Sequence, residues 1–151
     1  MTITLDYADL DFDDERSVLL ATENDFHYEL LFARTIFRVN DADFSIPDEK
    51  VPLLDFSFVL RTLAADLPNG EDVEYESPQS WAKIILARSG DSVRLSASFT
   101  DAVATVELDE LRDATAAFHA RVMQDVLIRY PALAENAEAQ KFFVPHRTPG
   151  A

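Results

Sequence analysis

Two stretches of the chain place apolar residues at three- and four-residue steps, and strand-like alternation lies between them. Leu53, Phe56, Leu60, Leu63 and Leu67 define the first helical stripe, which Phe58 and Val59 widen. Leu111, Thr115, Phe118, Val122 and Val126 define the second. Between the two, Val93, Leu95, Ala97 and Phe99 alternate with Arg94, Ser96 and Ser98, the pattern of a strand wet on one face. A chain of 151 residues that mixes both periods fits one α+β domain around a single core.

Further strands are expected at residues 3–7, 17–22, 26–32, 35–39, 73–76, 81–87 and 103–107, with a short edge strand at Phe44 and Ile46 stopped by Pro47. Asn24-Asp25, Asn40-Asp41-Ala42-Asp43, Ser89-Gly90-Asp91 and Thr100-Asp101 supply the turns. The first helix starts near Pro52 and ends at Pro68-Asn69-Gly70. The second starts about Asp109, which could cap it, and breaks at Pro131; residues 132–141 read as a further helical segment. Short turns require antiparallel pairing, because parallel strands need longer crossovers. The expected architecture is one antiparallel sheet of about six to seven strands with the two main helices on one face. Residues 1–144 form that domain, with Phe142-Phe143-Val144 docking on its body, and residues 145–151 read as a tail.

Charge narrows the function. The formal net charge is −15. Through Glu76 there are 19 acidic and 5 basic side chains, a net of −14; from Ser77 onward 9 acidic and 8 basic, a net of −1. A field of that sign repels phosphate backbones, which argues against nucleic acid, and it steers cationic proteins into encounter. The absence of cysteine rules out disulfides, thiolate nucleophiles and cysteine metal sites. No apolar run approaches the roughly 20 residues that span a bilayer, and Met1-Thr2-Ile3-Thr4-Leu5-Asp6 has no basic start or apolar core of a secretory signal. A cytoplasmic location is therefore expected. Arginine outnumbers lysine ten to three, a bias of GC-rich bacterial genomes.

Chemical motifs are sparse. Asp9, Asp11 and Asp13 alternate like calcium ligands, but the positions that need glycine and a bidentate glutamate hold Asp14 and Leu20. His27, His119 and His146 are too far apart in sequence to build a local metal motif; His27 reads as facing the polar side of a strand, and His119 lies beside the second helical stripe. Glu74 and Glu76 point to one side of an edge strand, where paired charges discourage sheet-to-sheet aggregation. With only three glycines there is no Gly-x-Ser-x-Gly elbow and no phosphate-cradling loop. Trp81, after the Ser77-Pro78-Gln79-Ser80 loop, either closes one end of the core or anchors an interface, closure being the ordinary role. Neither an enzymatic activity nor a cofactor is expected.

The layout resembles that of small acidic immunity proteins from bacterial toxin systems. The resemblance is carried by the Ile3-Thr4-Leu5-Asp6-Tyr7-Ala8-Asp9-Leu10 strand, the leucine-rich helix from Pro52, the hairpin across Ser89-Gly90-Asp91 and the closing helix after Val106-Glu107-Leu108. It implies a non-catalytic protein-binding domain that neutralises a basic, toxin-like partner by occluding its active site. The residues expected to meet that partner are Asp9, Asp11, Asp13, Asp14 and Glu15, followed by Asp41, Asp43, Glu74 and Glu76. The alternatives are a self-associating scaffold that uses a free sheet face and a small-molecule carrier with an aromatic-lined cavity. The sequence leaves the oligomeric state open.

Overall fold

The structure is a computed structural model that describes residues 2–143; Val144 and the expected tail lie outside the described residues. The fold is α+β, but the strands divide between two antiparallel sheets of four. In the first, β1 (Ile3–Ala8) pairs with β2 (Phe32–Val39), Leu5 opposite Phe37. One end of β2 also takes β3 (Ala42–Asp43), and the other takes β4 (Val51–Pro52). The second sheet is a meander in chain order: β5 (Asp72–Glu76), β6 (Lys83–Ser89), β7 (Ser92–Ala97) and β8 (Thr100–Glu107). The expected single sheet of six to seven strands is thus replaced. Strands β3 and β4 have two residues each and hydrogen-bond only to β2, so no ladder carries the first sheet into the second.

Two expected strands are helices. Residues 17–22 overlap α1 (Glu15–Leu19), which starts because the Asp14 side chain accepts from the Ser17 amide. Residues 26–32 overlap α2 (Glu23–Tyr28), opened by a capping box: Thr22 accepts from the Asp25 amide, and the Asp25 carboxylate accepts from the Thr22 amide. Asp25, read in sequence as a turn residue, is the third position of that box. Phe44 and Ile46 are buried loop residues and form no edge strand; the Ile46 amide donates to Thr35 Oγ1 at 2.9 Å. Thr100-Asp101 already belongs to β8, and the turn before it is Ser98-Phe99.

The long helices follow their stripes. In α3 (Leu53–Ala65) Leu53, Phe56 and Leu60 are buried. In α4 (Leu108–Arg129) all five stripe residues are buried. Asp109 lies in the first turn of α4, but the cap position is Glu107, and no side chain caps it. Phe56 joins the layers: its ring packs edge-on against Tyr75 of β5 at 5.1 Å and Phe118 of α4 at 6.0 Å. Pro131 ends α4 in a 3-10 turn (Pro131–Glu135), followed by α5 (Ala137–Phe143). Phe142 is buried against Phe26 and Phe58, as expected of a docking residue. One continuous apolar core runs through both sheets and the helices. No helix among the described residues is long and apolar enough to cross a membrane.

Candidate functional site

The acidic run between β1 and α1 is partly spent on holding itself in place. Asp13 accepts from the Leu31 amide at 2.7 Å, and this fixes a leucine in the left-handed conformation at φ 57°. The Asp13 carbonyl takes the Tyr130 hydroxyl at 2.8 Å. Asp14 caps α1. Asp9 pairs with Arg34 at 3.3 Å and Asp11 with Lys50 at 2.7 Å, while Glu15 is exposed without such a partner among the described residues. Within the run Phe12 is 59% exposed, with the Arg129 guanidinium 5.0 Å from its ring centre.

The nine acidic residues do not gather into one patch. In the β1–β2 register Ala8 faces Arg34 and Ile3 faces Val39, so Asp9 lies at one end of the pair and Asp41 beyond the other, with Asp43 opposite Arg38 close to that far end. Six residues of strand separate them, roughly 20 Å. Asp43 is engaged locally, accepting from the Ser45 amide and facing Arg38. Glu74 and Glu76 do lie on an edge strand, β5, and both are exposed; Glu74 has Lys83 at 3.6 Å.

A route of polar contacts joins the acidic run to that edge. Lys50 reaches Asp11, and its neighbour Glu49 accepts from Ser80 Oγ at 2.7 Å. Ser80 stands in the loop after Glu76, and the Ser77 amide closes that loop by donating to the Ala82 carbonyl at 2.9 Å. Trp81 projects from this loop with 87% of its surface exposed. It does not close the core. It borders a depression of about 470 Å³ lined also by Asp48, Glu49 and Phe99. The sequence marked Trp81 as a possible anchor but missed Asp48 and Glu49, which reach it only through the fold.

The histidines have structural partners. His27 lies on α2, not on a strand, and its Nδ1 is 2.5 Å from Asp55 Oδ1 in α3. Burial raises the Asp55 carboxyl above the usual carboxylate range, against the pull of His27. His119 is wholly buried on α4. The Arg61 guanidinium lies 3.0 Å from its Nδ1. A guanidinium can only donate, so Nδ1 is the bare acceptor and Nε2 carries the proton. Among the described residues that Nε2 is buried without a hydrogen-bond partner. Burial, followed by the nearby Arg61 charge, pushes the His119 pKa down to about 4, with a Phe142 backbone contact acting the other way. His146 lies outside the described residues. Among the described residues, no group of three or more metal-ligating side chains converges. No family model, curated protein or solved structure matches the chain.

Proposed function

We propose that the chain is a non-catalytic protein-binding domain of immunity type, acting in the cytoplasm, which covers the active site of a basic partner protein. The reading rests chiefly on Trp81: an indole 87% exposed, with Asp48 and Glu49 beside it, on a chain of net charge −15. Interface anchors are enriched in tryptophan, and carboxylates around an anchor speed and orient the approach of a cationic surface. Asp11, Glu15, Glu74 and Glu76 serve as the surrounding charge in this reading. Asp13 and Asp14 serve mainly the fold, and Asp41 and Asp43 belong to a distant surface.

The test is affinity capture from host lysate with the wild-type chain and with Trp81→Ala, washed at low and then high salt. A stoichiometric basic protein is expected on the wild type, weakened by salt and lost at least about tenfold on the variant, since a central anchor contributes about 2 kcal/mol or more. Equal capture by both chains would remove Trp81 from the interface and the reading with it. A wild-type oligomer that Trp81→Ala dissolves would reassign the face to self-association.

A further inference from the structure

Helices α2 and α3 and strand β5 enclose a second depression, of about 370 Å³, lined by Tyr28, Asp55, Val59, Tyr75, Glu76 and Ser77 among others. Its polar character is one-sided, for no lysine or arginine lines it. Asp55 is nearly buried, and its one hydrogen bond among the described residues uses Oδ1, toward His27, leaving Oδ2 without one. Tyr75 is 1% exposed, and its hydroxyl has no hydrogen-bond partner among the described residues. Burial makes that phenol harder to ionise, and the charges of Asp55 and Glu49 add to the effect. Ser77 Oγ accepts from the Gln79 amide at 3.1 Å and helps hold the wall of the pocket.

A buried hydroxyl without a partner is costly, and the spare oxygen of Asp55 lines the same space. An anion would face Asp55 and Glu76 with no cation to receive it. A purely apolar ligand would leave both oxygens unpaired. The group that satisfies them is positive, carries several N–H donors in one plane and lies well against tyrosine rings. These are the properties of a guanidinium. We propose that this pocket is a guanidinium-binding site, with Asp55 Oδ2 and Tyr75 Oη accepting N–H bonds and Tyr28 covering the cation. The guanidinium comes either from a free small molecule or from an arginine side chain of another protein. The site shares no lining residue with the Trp81 depression, which lies on the other side of the loop after Glu76, and binding there does not depend on the partner reading.

The experiment is a heteronuclear NMR titration of the full chain with agmatine, with N-acetyl-arginine amide and with neutral propylurea. Saturable shifts at the amides of Asp55, Tyr75 and Ser77 are expected for one or both cations and not for the urea. Preference for agmatine would identify a free ligand, and equal or better binding of the arginine amide a protein side chain. Tyr75→Phe keeps the ring and removes one acceptor, so affinity should fall about tenfold. Tyr28→Ala changes a half-exposed residue at the end of α2, and a loss of about threefold is expected. Absence of saturable shifts with both cations, equal binding of propylurea, or unchanged affinity in Tyr75→Phe would overturn the proposal. Because no protein partner enters the titration, such a result leaves the partner reading standing.

Discussion

Acidification from pH 7 to pH 5 should remove about 2 kcal/mol of stability through His119 alone. Its folded pKa, near 4, lies below the unfolded value near 6.5. A depressed pKa means that the unfolded chain binds the proton first, so stability is fully present above pH 6.5 and drains away as pH falls toward 4. At pH 5 the unfolded imidazole is almost wholly protonated while the folded one is still about nine-tenths neutral, and integration of that difference gives the figure above. By pH 4 the loss approaches about 3 kcal/mol. The raised Asp55 carboxyl works in the opposite sense, favouring the folded state as pH falls. A variant that keeps Asp55 but cannot titrate at position 119 separates the two. His119→Gln is suitable, because its amide oxygen can still accept from Arg61. Urea denaturation of both chains at pH 7, 6 and 5 and fixed ionic strength measures the difference. The wild type should lose about 2 kcal/mol more than the variant between pH 7 and pH 5. Parallel curves would refute the argument, and with it the buried, neutral His119 on which it depends.

Two further predictions concern the fold. Phe56→Ala removes the ring that bridges Tyr75 and Phe118 and should cost about 3–5 kcal/mol, read as a lower denaturation midpoint with unchanged slope. Thr22→Ala removes one half of the capping box on α2 and should cost about 1 kcal/mol, with faster amide exchange confined to residues 22–25.

The elements with many periods were legible. The helices α3 and α4 run for 13 and 22 residues, more than three turns each, and the β6–β7–β8 alternation is reinforced by turns at each end, so local pattern and burial agree. Segments α1 and α2 were not legible, being five and six residues long. At that length Phe26-His27-Tyr28 fits a strand as well as a helix, and only the reciprocal Thr22–Asp25 bonds decide between them. That error concealed His27 from Asp55, since a strand would have turned the imidazole elsewhere. The split of the sheet was hidden for a different reason: strand propensity says nothing about which edges meet. At the candidate site, acidity could be read from composition, but composition does not separate a carboxylate that caps a helix, such as Asp14, from one left to solvent, such as Glu15.

The way the C-terminal quarter holds the N-terminal loops sets a timetable for synthesis. Tyr7 bonds to Asp125, Arg121 to the Leu5 carbonyl, Tyr130 to the Asp13 carbonyl and Asn136 to the carbonyls of Leu19 and Ala21, across 115 to 118 residues of chain. The strands β5 to β8 pair only with neighbours in sequence and can close as soon as they emerge. At ribosomal rates the acidic loop and the first two helices must wait about 6 to 23 seconds for their tethers. Chains stopped at residue 120, before all four tether residues, should therefore protect β5–β8 amides from exchange while residues 9–28 stay open, and equal protection of both would rule this order out. The acidic loop is thus completed last, well after the meander whose β5–β6 loop carries Trp81.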